Sequence, residues 1–497
     1  MNPVLAVRRA GVLLHPTSLP APESGGALGT EARRFVDWLA AGAFSVWQTL
    51  PLGVTDAYGS PYCLRSAYAG DPRFIDTADL ADFEVLPPAV ADAGDRDARY
   101  AAFARLAGPR ERRAFAEFVR ARRRWLLPYA LFELASARFG QAPWWEWPEA
   151  YRAADTVALR ALRFANREQF RALLFDQYLF ELQWTALKTY ANERGVLLFG
   201  DLPFYVDRNS VEVWWERELF ALDASGEPLA VAGVPPDYFN ADGQLWGNPL
   251  YDWDAMRRGG FRWWLARMQA QLMRFDLVRI DHFRALESYW EVPAGAPSAR
   301  AGRWRTGPGD ALLSALRAEL GAIALVAEDL GVITDEVRAL RDRFELPGMV
   351  VLQFAFDGST DNPHLPRHHR RNAVVYTGTH DNDTTVGWYS SLDADARAVV
   401  HSMLGLGPTP PVPEFLIEAA YASNAALAIV PMQDLLGRDS GARMNTPGTV
   451  VGNWRWRFAW PDVPESLAPA CRERAARSAR KGREPADSYS SERYSSS

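Results

Sequence analysis

The feature that most constrains the fold is a series of eight short apolar runs, separated by longer stretches of helical composition. Runs rich in Leu and β-branched residues are typical of strands buried on both faces of a parallel sheet. Eight such strands predict an α/β fold, a closed (β/α)8 TIM barrel, with a doubly wound open sheet as the alternative. The runs are AGVLLHP (10–16), SVWQTLPL (45–52), VLLFGDLPFY (196–205), LVRIDHF (277–283), ALVAEDLG (324–331), GMVVLQFAF (348–356), AVVYTGTHDN (373–382) and LAIVPMQDLLG (427–437).

The uneven spacing of the runs predicts insertions in the catalytic barrel domain, which we place at residues 1–460. Apolar residues at three- and four-residue steps predict a mainly helical insertion over 77–193, between strands 2 and 3. Turn-rich sequence over 206–275 predicts a loop-rich insertion above the mouth of the barrel. Residues 461–497 form a C-terminal segment that we expect to be disordered from about residue 472, because its last 26 residues contain no Leu, Ile, Val, Phe or Met.

Composition excludes several classes of protein. A net charge of −6 supplies no basic surface for nucleic acid, and no apolar run approaches the roughly 20 residues that span a bilayer. The N-terminal sequence lacks the apolar core of a signal peptide, and Cys63 and Cys471 are the only cysteines. We therefore expect a cytoplasmic protein that binds neither nucleic acid nor membranes. The 61 aromatic residues could fill the core or pack against the faces of sugar rings.

Polar residues follow the apolar runs, at the strand ends where barrel enzymes build their active sites. In LVRIDHF, Asp281 follows the strand and Arg279 lies on the same face, two residues earlier. A neighbouring guanidinium favours the ionised carboxylate that a nucleophile requires. His282 would begin the loop, where it could hydrogen-bond a sugar hydroxyl. The alternative is an Arg–Asp ion pair that only stabilises the barrel.

The next run, ALVAEDLG, brings Glu328 or Asp329 to the same rim. Because neighbouring parallel strands lie about 4.8 Å apart, carboxylates on adjacent ends can approach the separation of about 5–5.5 Å used in retaining glycoside chemistry. Glu328 follows apolar residues, so its pKa could be raised and it could serve as a general acid and then a base. The alternative is that both acids cap the chain after the strand.

A third acid, Asp381, follows the seventh run beside His380. These side chains could hold sugar hydroxyls and favour an oxocarbenium-like transition state, although Asp and Asn after a strand are also ordinary turn residues. Three acids at one rim favour a catalytic interpretation over a structural one.

Together the motifs resemble one family, the amylomaltases or 4-α-glucanotransferases of the α-amylase-like barrel clan. The matching stretches run in the family's order and cover most of residues 8–457. They are GVLLHPTSLP (11–20), YGSPYCLRSAYAGDP (58–72), GDLPFYVDRNSVEVW (200–214), PPDYFNADGQLWGNPLYDW (235–253), RIDHFRALESYWEVPAG (279–295), AEDLGVIT (327–334), LPGMVVLQFAF (346–356), YTGTHDND (376–383), MNTPGT (444–449) and GNWRWR (452–457).

The resemblance implies a role for each matched residue. It implies that Asp281 is the nucleophile, Glu328 the general acid/base and Asp381 the carboxylate that stabilises the transition state. Residues expected to hold the sugar at the cleavage point are Arg279, His282 and His380. Those expected to contact donor and acceptor sugars are Ser60, Tyr62, Asp207 and Trp246. Asn445 and Asn453 both lie in the last matched blocks, and the sequence leaves open which one reaches the sugar.

The activity implied by the resemblance is 4-α-glucanotransferase activity: retaining transfer of an α-1,4-glucan segment from a donor maltodextrin to the 4-hydroxyl of an acceptor, through a covalent glycosyl-aspartate. Expected partners are α-1,4-glucans such as maltooligosaccharides, amylose, starch or glycogen chains, and no metal or organic cofactor is expected. We expect a monomer or a weak homo-oligomer. An α-glucan hydrolase and a non-catalytic glycan-binding protein are the alternatives.

Overall fold

The structure, a computed structural model, describes residues 3–21, 26–236 and 241–480. The strands are β1 (Arg9–Leu13), β2 (Val46–Gln48), β3 (Leu197–Leu202), β4 (Ala230–Val234), β5 (Gln244–Pro249), β6 (Leu277–Ile280), β7 (Ser288–Pro293), β8 (Arg303–Thr306), β9 (Leu325–Ala327), β10 (Gly348–Val351), β11 (Ala373–Tyr376) and β12 (Leu427–Pro431). Each of the eight predicted runs contains or overlaps one strand of a single parallel sheet, so the predicted strand count is confirmed.

The α-helices are α1 (Thr30–Ala41), α2 (Arg96–Leu106), α3 (Pro109–Arg138), α4 (Glu149–Arg152), α5 (Thr156–Ala165), α6 (Arg167–Glu193), α7 (Val211–Trp215), α8 (Trp253–Arg258), α9 (Arg262–Arg274), α10 (Gly309–Leu320), α11 (Asp335–Arg343), α12 (Thr385–Ser391), α13 (Ala394–Leu404), α14 (Glu414–Ala422), α15 (Met432–Leu435) and α16 (Leu467–Arg477).

The parallel sheet runs in the order β10-β11-β12-β1-β2-β3-β6-β9. The backbone N–H of Ala327 at the end of β9 donates to the carbonyl of Pro347 before β10, at 2.8 Å, which brings the two ends of the sheet together as a barrel. Within β1, an added Cβ at Gly11 would lie 2.6 Å from the Ile429 side chain and 2.7 Å from the Val46 carbonyl. Only glycine fits there, and the predicted TIM barrel is confirmed.

Helices α2 to α6 lie between β2 and β3 in the chain, as the helical composition of this stretch predicts. Asp95 and Asp155 stand at the N-caps of α2 and α5, where their carboxylates accept backbone hydrogen bonds from the first turn. In α6, apolar residues at four-residue steps, among them Phe170, Leu174 and Tyr178, are buried. The helical insertion is confirmed as part of the fold, while its bounds of 77–193 stay a prediction.

The loop-rich prediction for residues 206–275 differs from the structure. This stretch contains α7, β4, β5, α8 and α9, and its strands pair with β7 and β8 in an antiparallel sheet ordered β5-β4-β7-β8. Four of the six residues of β5 and all of β8 are exposed, so neither strand shows the apolar signal from which strands are recognised. Pairing between distant segments forms this sheet. Residues 237–240 of the stretch lie outside the described residues.

The expectation of disorder from about residue 472 is wrong for residues 472–480. Helix α16 continues to Arg477 and buries Cys471 and Ala475, and Arg480 is 1% exposed. Small buried residues and one buried arginine are sufficient to hold this segment against the barrel, because α16 packs against α1 and α14. The rest of the expected tail, 481–497, lies outside the described residues. Across the described parts of the chain, every helix is too short or too polar to cross a bilayer.

Candidate active site

The first feature of the site is the pairing of Asp281 with Glu328. Strands β6 and β9 are in register with Ile280 opposite Ala327, so the two carboxylic acids are the next residues on neighbouring strands. The backbone N–H of Glu328 donates to the Ile280 carbonyl at 3.1 Å, which continues the ladder to the rim. Adjacent parallel strands lie about 4.8 Å apart, and paired carboxyl groups at about 5–5.5 Å suit retaining chemistry.

Glu328 has an environment suited to proton transfer. Its carboxylate accepts hydrogen bonds from the backbone N–H groups of His282 at 2.8 Å and Leu330 at 3.1 Å. Burial, together with the nearby charge of Asp281, raises the pKa of Glu328 to about 7 against the opposing effect of Arg279. The side chain can therefore hold or release a proton near neutral pH.

Arg279 contacts Asp281 at the end of β6. One guanidinium nitrogen lies 2.8 Å from Asp281 Oδ1, while the other lies 2.9 and 2.8 Å from the two oxygens of Asp201. The side chain of Asp281 is 28% exposed and that of Asp201 is fully buried. Arg279 thus holds the accessible carboxylate in place while the buried one balances its charge.

Asp201 is a site residue that the sequence reasoning missed. It lies on β3 directly opposite Arg279 in the parallel register, and burial raises its pKa even though Arg279 opposes this shift. The signal available in the sequence was the GDLP motif. It places an Asp near the end of a strand, where its side chain can contact an arginine on the neighbouring strand.

Tyr62 connects this group to the opposite side of the rim. Its hydroxyl donates to Asp201 Oδ2 at 2.7 Å and lies 2.9 Å from His380 Nε2. The rings of Tyr62 and His380 are stacked with centroids 5.3 Å apart. His380 Nε2 is also 3.3 Å from Asp381 Oδ2, so one connected polar network includes all of these residues.

Asp381 is held as an anion. Burial alone would raise its pKa, but the His380 charge and hydrogen bonds from His380 and Asn445 lower the pKa below its usual range. The Asn445 side-chain amide donates to Asp381 Oδ1 at 2.7 Å. Arg443, which the sequence reasoning also missed, donates to the Asp381 carbonyl at 2.6 Å and to the Asn445 carbonyl at 2.6 Å. The sequence around Arg443, RMN (443–445), gave no indication of this contact.

The two candidate asparagines have different environments. Asn453 accepts from the Thr446 backbone N–H at 3.0 Å and donates to the carbonyl and hydroxyl of Thr449 at 3.0 and 3.1 Å. These hydrogen bonds engage the side-chain amide of Asn453 with residues of its own loop. Asn445 instead donates to the acid Asp381, so of the two asparagines it is Asn445 whose side chain joins the polar network at the rim.

The rings of His282 and Trp246 pack against each other beside the carboxylates. Their ring centroids are 4.7 Å apart at 75°, and the Tyr205 ring lies about equally close to both, at 6.2 and 6.3 Å. His282 has a left-handed backbone with φ of 51°, which directs its N–H to Glu328. Burial lowers the pKa of His282 to about 4, so its ring is neutral at neutral pH and can both donate and accept.

Ser60 and Asp207 lie around Cys63 on the Tyr62 side of the rim. The Ser60 hydroxyl accepts from the Tyr62 backbone N–H at 3.3 Å, and Asp207 accepts from the Asn209 N–H at 2.7 Å. Burial, with the charge of Asp207, raises the pKa of Cys63 to about 11, so its thiol stays protonated. Neither Ser60 nor Asp207 bonds to the three acids in the described hydrogen bonds. Over residues 3–21, 26–236 and 241–480, no three potential metal ligands are grouped.

A parallel eight-stranded barrel with carboxylic acids paired at the carboxyl ends of neighbouring strands is the arrangement of (β/α)8-barrel enzymes that act on glycosidic bonds, and the comparisons assign this chain to that class. The family model for 4-alpha-glucanotransferase matches residues 14–462. A 4-alpha-glucanotransferase of Thermus thermophilus is 45% identical over 490 residues, covering 93% of this chain and 96% of the relative. One of Synechocystis sp. is 46% identical over 479 residues, covering 92% and 94%.

Among solved structures, the amylomaltase from Streptococcus agalactiae in complex with acarbose matches with a TM-score of 0.90 and 34% identity. The match covers 95% of this chain and all of that one. The chain belongs to the 4-alpha-glucanotransferase family and is a glycosyl-transferring enzyme that acts on α-1,4-glucans.

Proposed function

We propose that the protein transfers α-1,4-glucan segments between maltodextrins in two displacements. Asp281 attacks the anomeric carbon of the donor, and the bond from that carbon to the glycosidic oxygen breaks. Glu328 gives its proton to the departing oxygen. The product of this first step is a glycosyl ester on Asp281. The 4-hydroxyl of an acceptor then attacks the same carbon, Glu328 takes the hydroxyl proton and the Asp281 carboxylate is released. Two inversions retain the α configuration.

The observation that carries this proposal is that Asp281 and Glu328 directly follow Ile280 and Ala327, which are paired on neighbouring strands, combined with the different surroundings of the two acids. Arg279 lies 2.8 Å from Asp281 Oδ1 and holds this accessible carboxylate in place. Burial gives Glu328 a pKa of about 7, which suits a group that is an acid in one step and a base in the next.

The acid Asp381 is the third participant. Its lowered pKa keeps it ionised, so its negative charge is available to an oxocarbenium-like sugar and to the hydroxyls of that sugar. Tyr62 and His380 stack beside it and offer a flat surface with polar edges to the same sugar. Neutral His282 supplies a further hydrogen-bonding group.

Transfer also requires that water be kept from the glycosyl ester. We propose that the described residues of the 206–275 insertion, 206–236 and 241–275, cover the mouth of the barrel and that Trp246, packed on His282, excludes water from the anomeric carbon. Trp246→Ala is then expected to raise the ratio of hydrolysis to transfer. The measurement compares new reducing ends with new glycosidic bonds, and an unchanged ratio would refute this role.

Incubation with maltotriose tests the activity. The expected products are glucose and a ladder of longer maltodextrins, with the total number of reducing ends constant. Asp281→Asn is expected to abolish the ladder. Rising reducing ends without longer products would indicate a hydrolase, and binding without turnover would indicate a glycan-binding protein.

The covalent intermediate has its own test. Glu328→Gln is treated with an α-maltosyl fluoride, whose leaving group needs no acid, so the first step proceeds while the second lacks its base. Mass spectrometry of the digested protein should then show one maltosyl group on the peptide that contains Asp281. A labelled peptide elsewhere, or none when fluoride is released, would contradict the proposed nucleophile.

A further inference from the structure

Trp304 lies on the antiparallel sheet outside the site described above. It is on the edge strand β8, where it is 41% exposed and pairs in register with Trp290 of β7. The two rings meet edge to face with centroids 5.1 Å apart. The Arg284 guanidinium stacks 3.9 Å from the centre of the Trp304 ring, and Arg284 is 6% exposed. The indole therefore has one side against a buried cation and exposed surface remaining.

Arg284 connects this tryptophan to the catalytic segments. It follows Asp281 by three residues, and its guanidinium donates to the Val332 carbonyl and to the Ser288 hydroxyl at 3.1 Å. Val332 follows Glu328 by four residues and is 54% exposed. Because Arg284 bonds to the segment after Glu328 and stacks on Trp304, the orientation of the indole is coupled to both catalytic segments.

We propose that Trp304 is a binding platform for the acceptor glucan. This inference rests on the proposed function, in which Glu328 handles the oxygen that joins the donor to the leaving or incoming chain. The loop that follows Glu328 contains Val332, whose carbonyl accepts a hydrogen bond from Arg284, and Arg284 in turn stacks on Trp304. A pyranose presents an apolar face, and a fixed indole buries that face at a small cost in side-chain entropy. The cation behind the ring keeps the indole in place.

The occupant is an α-1,4-glucan chain rather than a single sugar. A platform outside the site of bond cleavage contacts only those acceptors long enough to reach it. Glucose as an acceptor is therefore too short to contact Trp304, whereas a long maltodextrin stacks one of its sugar residues on the indole. We expect this stacking contact to make about a tenfold difference in the KM for a long acceptor.

The test varies the acceptor at a fixed donor concentration. Trp304→Ala is expected to raise KM about tenfold for long maltodextrin acceptors, with KM for glucose and kcat unchanged. Trp304→Phe keeps a stacking face and should restore most of the long-acceptor KM. Phe164→Ala is the control, because Phe164 is an aromatic residue that is 85% exposed and lies on α5, outside the site and outside the segment over the mouth of the barrel; it should leave every value unchanged.

The outcomes separate this inference from the proposed function. If the wild-type protein transfers glucan but Trp304→Ala affects glucose and long acceptors equally, or affects neither, the platform is refuted and the activity stands. Equal effects of Trp304→Ala and Phe164→Ala would also refute it. If the wild-type protein transfers no glucan to any acceptor, the proposed function fails and the platform fails with it.

Discussion

Replacing Arg480 with methionine is expected to destabilise the barrel although the residue lies three positions beyond the end of α16. The Arg480 side chain is 1% exposed, and its guanidinium donates to four backbone carbonyls at 3.0 Å or less. These belong to Tyr421 at 3.0 Å, Arg9 at 2.9 Å, Ser423 at 2.9 Å and Ala425 at 3.0 Å. The contacts join the C-terminus of α14, the start of β1 and the turn before β12.

The magnitude follows from these contacts. A hydrogen bond from a charged donor stabilises a protein by about 1.5–3 kcal/mol, and a carbonyl left buried without a partner costs about 1–3 kcal/mol. The cost of burying the guanidinium offsets part of this sum. Because four buried carbonyls lose their donor while the cost of burying a charge disappears, we expect a net loss of about 3 kcal/mol for Arg480→Met, which keeps an unbranched apolar side chain. The helix C-terminus adds to the effect, because its partial negative charge favours a cation.

The assay is urea-induced unfolding followed by tryptophan fluorescence, with the free energy taken from the midpoint and slope. Arg477→Met is the matched control, since its side chain is 59% exposed and pairs with Glu418 and Glu473 at the surface. Exposed ion pairs contribute about 0–1 kcal/mol, so this variant should unfold close to the wild type. A loss in Arg480→Met within about 1 kcal/mol of the Arg477→Met value would refute the reasoning, because burial would then cancel the hydrogen bonds.

Three further predictions concern the rim. Glu328 must be protonated for the first step and has a pKa of about 7, so kcat/KM should fall as pH rises through about 7; a profile flat from pH 6 to 9 would contradict this. Asp201→Asn removes the charge that balances Arg279 and should lower kcat at least tenfold with little change in the KM for maltotriose; full activity would contradict the positioning role. Asp434→Ala leaves two threonine hydroxyls and one backbone N–H without their acceptor. It should therefore lower the free energy of unfolding in urea by about 3 kcal/mol, whereas Asp434→Asn should retain most of the wild-type stability.

The strands of the barrel could be predicted from sequence because burial on both faces leaves a local signature. A run such as VLLFGDL has no polar alternation, and a parallel sheet covered by helices is the structure that such runs favour. Once β6 and β9 are known to be neighbours, no further information is needed to place Asp281 beside Glu328, because each acid follows the last paired residue of its strand. The acids were therefore predictable as a pair.

Asp201 was not predictable in the same way. Its neighbours mark it as part of a strand, but its function depends on lying opposite Arg279, which is 78 residues later in the chain. That contact is set by the register of β3 against β6. The antiparallel sheet has a similar origin, since residues 303–306 of β8 are exposed and become a strand only by pairing with β7.

The sequence by itself therefore determined the features that depend on a residue and its near neighbours: the eight buried strands, the helical insertion and the acids at the strand ends. Tertiary structure alone decided which partners meet across long stretches of chain, such as Arg480 with the carbonyl of Arg9, or Trp304 with Arg284. The physical reason is that hydrophobic periodicity is a local property, whereas a buried cation or carboxylate finds its partners only when closure of the barrel removes water from both.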